Sequence, residues 1–330
     1  MDETSLRALL DSAIGDEPPI GPVGRNSLRE GIKLRRRARM RRAAGAAAVV
    51  AAVAAALPAV TGVLGNRAAA PSGGTAYVAM QGSGTVVPID LATNTPGQPI
   101  QVGRALYAIA ITPDGKTAYV SDEGTSTVTP VDLATDTPGK PIRFSVSPFA
   151  IAITPDGKTA YVANGINGVV PIDLATGTPG KPIHVGGQPG WLTIAITPDG
   201  KTAYAADGNA VTPIDLATGT PGKPIHIGTR LSAIAITPDG KTAYVADYAG
   251  RNAVTPIDLA TGTPGKPIHV GGPTYAIAIT PDGKTAYVAD GNAVTPIDLA
   301  TGTPGKPIRV WHSSALGAYV GSPGSIAIMP

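Results

Sequence analysis

The chain has 330 residues and no cysteine, which excludes disulfides and cysteine-based zinc or iron–sulfur sites. Its formal charge of +3 is unevenly spread: residues 1–45 carry a net +4 and the remainder −1. The near-neutral C-terminal part argues against a nucleic-acid-binding domain, and with only 4% aromatic residues any core must be built from Ile, Val and Ala.

Residues 1–42 form a polar tail that ends in a basic run, KLRRRARMRR at 33–42, with seven Lys or Arg. Residues 43–64 follow with no charge, long enough to span a bilayer as one helix. Basic residues just before such a segment place its N-terminal end in the cytoplasm, so the rest of the chain is expected outside the cytoplasm. The competing reading is a signal peptide that is cleaved before secretion. The tail preceding the segment is longer than such peptides carry, and the nearest small-residue site, RAAAP at 67–71, puts Pro71 after the cut. The expected organisation is a cytoplasmic tail (1–42), a signal-anchor helix (43–64), a linker (65–74) and a repeat domain (75–330).

The repeat is announced by the aspartate of Pro-Asp-Gly, at Asp114, Asp156, Asp199, Asp239 and Asp282, spaced by 42, 43, 40 and 43 residues. A period near forty points to propellers or helical arrays. Short runs of Val, Ile, Tyr and Thr cut by Gly and Pro favour strands. Each unit divides into strand a (AIAI), the turn TPDGK, strand b (TAYVA), a variable loop, strand c (VTPIDL), the turn ATGTPGK, and strand d (PIHV). Short connections pair neighbouring strands antiparallel, and four-stranded sheets repeated at this period are propeller blades. Strand c carries a proline in every copy (Pro88, Pro130, Pro171, Pro213, Pro256 and Pro296), which predicts a bulge or a gap in the ladder there.

TAY occurs six times but a strand a before Pro-Asp-Gly only five times. The first unit opens directly on strand b at Thr75, and a sixth strand a, SIAIMP, stands at 325–330. The expected fold is therefore all-β: a six-bladed propeller of four-stranded antiparallel blades, closed by the C-terminal strand joining the first blade and preceded by one transmembrane helix. Closure leaves no blade incomplete and no open end to aggregate.

ITPDGKTAYVAN (153–164) and VVPIDLATGTPGKPIHVG (169–186) resemble the YVTN-family β-propeller repeat. The resemblance covers 73–330. It implies an exported or surface propeller, with lactonases and quinoprotein-like enzymes among related propellers. The repeat motif is structural and brings no catalytic residues or cofactor with it.

An antiparallel meander puts the a–b and c–d turns on one face and the b–c and d–a loops on the other. The first face is nearly identical in every copy; the second varies, and function more often sits on such loops. The varied face holds Tyr107, Phe149, Trp191, Arg230, Tyr248, Arg251, Tyr275 and Trp311, residue types that anchor interfaces. Strand b ends on Asp122, Asn164, Asp207, Asp247 and Asp290. That ring is a weak Ca²⁺ candidate, set against the reading that Asp and Asn open turns by bonding their own backbone. His184, His226 and His269 share one position of strand d and are spread around the rim, so they cannot converge on one metal. Glu123 is the single glutamate after residue 70, and no Ser-His-Asp set, phosphate loop or HExxH is present.

These readings point to a monomeric, membrane-anchored, non-catalytic scaffold outside the cytoplasm, with no cofactor, that binds a protein or cell-wall partner through its varied face. The alternatives are a lactonase-like propeller enzyme and a purely structural envelope component.

Overall fold

The computed structural model of the protein describes residues 75–80, 83–90, 95–164, 168–186, 192–248, 252–290 and 293–309. The tail, the apolar segment at 43–64 and the C-terminal SIAIMP lie outside the described residues. Six antiparallel sheets follow one another along the chain. The second shows the pattern: strand a is Leu106–Ile111, b is Thr117–Asp122, c is Thr127–Asp132, and d is split into Thr137–Pro138 and Ile142–Arg143. The first sheet begins at strand b, Thr75–Met80, which pairs with Thr85–Asp90.

The turns follow from the sequence. In TPDGK the Thr112 hydroxyl donates to Asp114 Oδ1 at 2.6 Å and accepts from Thr117 N at 3.1 Å, while Lys116 N donates to the same carboxylate at 3.1 Å. The hydroxyl bond, followed by the backbone one, holds the Asp114 carboxyl below its ordinary range. Gly115 takes φ +71°, a left-handed conformation that a side chain would strain. The same Thr–Asp bond recurs at Thr154, Thr197, Thr237 and Thr280.

The strand-c proline produces a gap, on one side only. The b–c register runs unbroken through it, with Tyr119 opposite Pro130. Pro130 O accepts from Gly139 N at 2.7 Å, so the edge that lacks an N–H faces strand d. Strand d accordingly breaks there: its first piece pairs with Val131 and Asp132, its second with Thr127 and Val128. One detail differs from the sequence reading. The Thr-Pro of ATGTPGK is already paired to strand c, so strand d starts earlier and the turn is shorter. Thr137 pairs with Asp132 and Pro138 with Val131, so the piece is held on strand c even though its proline donates no bond.

The core lies between sheets. One buried cluster joins Leu192 and Ile194 of the fourth sheet to Tyr161 and Ala163 of the third. Others join the fourth to the fifth and the fifth to the sixth. From the second sheet to the sixth, strand a of one lies beside strand a of the next, and strand b of the first lies beside strand a of the second. Polar bonds cross these seams too: Tyr77 Oη donates to Leu133 O at 3.4 Å, and Ser232 Oγ to Thr274 O at 2.9 Å. Sheets packed face to face in sequence around strand a are the propeller arrangement.

One sheet departs from this burial. Val120, Val162, Val245 and Val288 on strand b are 0% exposed, but Val78 at the matching position of the first sheet is 39% exposed and Met80 38%. They are the exposed large hydrophobic side chains among the described residues, and both lie on the first sheet, which has no strand a among those residues.

Candidate functional site: the varied loop face

Backbone bonds sort the loops into two faces. On one, Leu133 N donates to Lys116 O at 2.9 Å, tying the c–d turn to the a–b turn, and the bond repeats from Leu174, Leu216, Leu259 and Leu299. On the other, Glu123 N donates to Ala105 O at 3.0 Å and Tyr248 N to Arg230 O at 2.8 Å, tying b–c loops to d–a loops.

On this second face a buried carboxylate holds the loop pair in the second, fifth and sixth sheets. Asp122 is 0% exposed. Its Oδ2 accepts from Arg104 N at 2.8 Å and Thr125 Oγ1 at 2.8 Å. Its Oδ1 accepts from Ala105 N at 3.0 Å, Gly124 N at 2.8 Å and Thr125 N at 3.3 Å. Burial pushes this carboxyl up, but the Arg104 and Thr125 bonds, with those from Ala105 and Gly124, outweigh it and hold it below the ordinary range. Asp247 ties the corresponding loop of the fifth sheet, accepting from Thr229 N at 3.0 Å and Arg230 N at 3.2 Å. Asp290 accepts from Gly271 N at 3.0 Å and Thr295 Oγ1 at 2.9 Å.

The turn-opening reading of these aspartates is thus half of what they do. Asp122 bonds the backbone just after it, as expected, and also the loop 17 and 18 residues before it. Each carboxylate serves its own sheet. Among the described residues no three His, Asp or Glu side chains gather in metal-binding reach.

Asp207 is the exception in charge balance. Burial pushes its carboxyl up from 3.8 to about 6. The folded chain therefore keeps a proton that the unfolded chain loses, and stability falls as pH rises from about 4 to 6. Asn164 stands at this place in the third sheet, so the site accepts an amide. Asp207→Asn is expected to melt ~2–4 °C higher than the parent at pH 7.5 and to match it at pH 4, by thermal denaturation across pH.

The clamps present different side chains from one framework. Where the second sheet shows Ala105 and Glu123, the fifth shows Arg230 and Tyr248. The Arg230 guanidinium lies 5.3 Å from the Tyr248 ring centre, and Tyr248 meets Tyr275 of the sixth sheet edge-on at 5.1 Å and 60°. Arg230 is exposed; both tyrosines are half-buried. Tyr107 and Phe149 form the matching pair between the second and third sheets, at 5.3 Å and 72°. Tyr107 is only 2% exposed and fills that seam. Burial, and then the charge of Glu123, push its hydroxyl well above the ordinary range. Trp191, Arg251 and Trp311 lie outside the described residues. His184, His226 and His269 are exposed on strand d of three separate sheets.

Two serines that sequence reasoning passed over sit on this face. Four strands a carry a register shift near their start, as between Leu106 and Ile109. In the second sheet Ser121 Oγ accepts the freed Ala108 N at 2.8 Å. In the fifth, the hydroxyl of Ser232 bridges to the sixth sheet. Their only sequence signal is that each replaces another residue at a repeated position.

The fold is all-β and propeller-type. A likeness among solved structures supports that class: the Kuenenia stuttgartiensis hydrazine synthase matches with a TM-score of 0.67 and 24% identity, over 77% of this chain and 86% of that one. At that identity the likeness carries the fold alone. No protein-family model matches the chain, and no curated protein does.

Proposed function

We propose that this chain is a membrane-anchored, extracytoplasmic propeller of the YVTN-repeat type, a non-catalytic scaffold whose varied face binds a protein or cell-envelope partner. The observation that carries the reading is the carboxylate clamp: one buried framework, repeated in the second, fifth and sixth sheets, holding loops that differ. Arg230 stacked on Tyr248 and backed by Tyr275 is the richest such patch, and Arg and Tyr dominate binding hot spots. A rigid loop frame also lowers the entropy lost on binding.

The same reading includes a closed six-bladed ring, with 325–330 as the missing strand a of the first sheet. The uncovered Val78 and Met80 support it, as does the repeat match of SIAIMP to AIAITP at 108–113. The segment at 43–64 is the anchor. N-terminal sequencing of the exported protein is expected to find no cut near Pro71.

The binding claim is tested with the full chain as bait against envelope extract, beside an Arg230→Ala/Tyr248→Ala variant. A partner held by the parent and lost by the variant, at unchanged melting temperature, is expected. Identical capture by both would place binding elsewhere.

A further inference from the structure

The face and rim that repeat, rather than the face that varies, hold a cleft. Between the fourth and fifth sheets lies an open cleft of about 690 Å³. Strands b, c and d of the fourth sheet give it Tyr204, Asp215, Lys223 and His226, and the c–d turn of the fifth closes it at Leu259 to Gly262. The geometry recurs along the array. A methyl placed on turn glycines Gly177, Gly219, Gly262 or Gly302 would meet Ile142, Ile183, Ile225 or Ile268 of the preceding sheet at 3.5–3.7 Å. The same turn therefore seats against the same strand at four successive seams.

The charged side chains recur with it. Strand d brings Lys140 with Arg143, Lys181 with His184, Lys223 with His226, and Lys266 with His269. The first sheet has Gln98 and Gln101 instead. The ion pairs among the described residues are Lys201–Asp199, Lys241–Asp239 and Lys284–Asp282, all within a–b turns, so the cleft lysines have no carboxylate partner among those residues. The acid in the cleft is engaged: Asp215 Oδ1 accepts from Thr218 N at 2.8 Å and Thr218 Oγ1 at 3.0 Å.

Seams that repeat side by side match a ligand that itself repeats. Lysines without carboxylate partners call for negative charge, and the Thr202, Thr220 and Thr261 hydroxyls that line the cleft suit a hydroxylated backbone. Tyr204 is 7% exposed, leaving no open ring on which a nucleic-acid base would stack. We propose that the outer rim is a multivalent site for a linear anionic polymer of sugar or polyol units with one charge per repeat, uronate or phosphodiester. This site is independent of the varied face.

The test measures binding of polygalacturonate, poly(glycerol phosphate), uncharged dextran and single-stranded DNA to the full chain at low salt. One or both charged polymers are expected to bind and dextran is not; which of them binds identifies the anion. Lys223→Gln should weaken binding less than about twofold, and the combined Lys140, Lys181, Lys223 and Lys266→Gln variant more than about tenfold, because linked sites multiply. Glutamine at position 98 shows that the fold accepts this change, and the matching Lys→Arg variant should bind as the parent does. Arg230→Ala/Tyr248→Ala should leave polymer binding unchanged, so failure here and failure of the varied-face reading are separable. No binding of either charged polymer, an unchanged fourfold Gln variant, or tighter binding of DNA than of both polymers would overturn the proposal.

Discussion

Asp122→Ala is expected to destabilise the protein by about 3 kcal/mol and to loosen the loops at 103–105 and 123–125 together. The substitution removes a carboxylate that is 0% exposed and accepts five bonds. Four of the donors are backbone N–H groups, and a buried donor left without an acceptor costs ~1–3 kcal/mol. Water entering the space relieves part of that cost, which keeps the total below a simple sum. Chemical denaturation gives the loss, and hydrogen exchange at Arg104, Ala105 and Gly124 locates it. Gly103→Ala should have a similar effect by another route, because a methyl on Gly103 would overlap the same carboxylate. A variant as stable as the parent, with those amides still protected, would mean that the clamp does not hold the face.

Ile214→Ala carries the other large effect. Ile214 is 0% exposed and packs between the third and fourth sheets with Ile194, Leu192 and Tyr161. Truncating it removes buried apolar surface and leaves a cavity that stacked sheets cannot close, at ~2–5 kcal/mol. Ile214→Val, which deletes one methylene, should cost ~0.5–1.5 kcal/mol at the same place. In an array stabilised by contacts between neighbours, the loss concentrates at one seam. Limited proteolysis should then cut first in the third or fourth sheet, and cutting spread evenly over all sheets would contradict this division of the core.

Much of the fold could be read from the sequence because its signals are local and recur. Thr-Pro-Asp-Gly-Lys specifies its own turn through the Thr112 hydroxyl and Asp114 carboxylate, five residues that need no distant partner. The proline of strand c was legible as a fault in a ladder. Which side the fault takes was not, since that depends on which backbone edge of Pro130 faces strand d. The site was less legible for the same reason. That Asp122 reaches Arg104 and Ala105 depends on two loops meeting in space, and the aspartate looks the same whether it bonds its own turn or a loop seventeen residues away. Tyr107 shows the converse. Its type and position suggest a surface anchor, and only packing against Phe149 reveals it as filling between sheets. Arg230 and Tyr248 were individually visible as interface residues, but their stacking on a shared clamp was not.

The proposed closed ring needs residues 325–330 to complete the first sheet. With no native cysteine, a crosslink tests this directly. Ile109 pairs with Val120 in the second sheet, and by repeat register Ile326 should pair with Val78. Val78→Cys/Ile326→Cys is expected to form an intramolecular disulfide on mild oxidation, while the shifted pair Val78→Cys/Ile328→Cys stays reduced, because disulfides demand Cα atoms within ~7 Å. Failure of the first pair to close within one molecule, or equal crosslinking of both pairs, would contradict the closed ring.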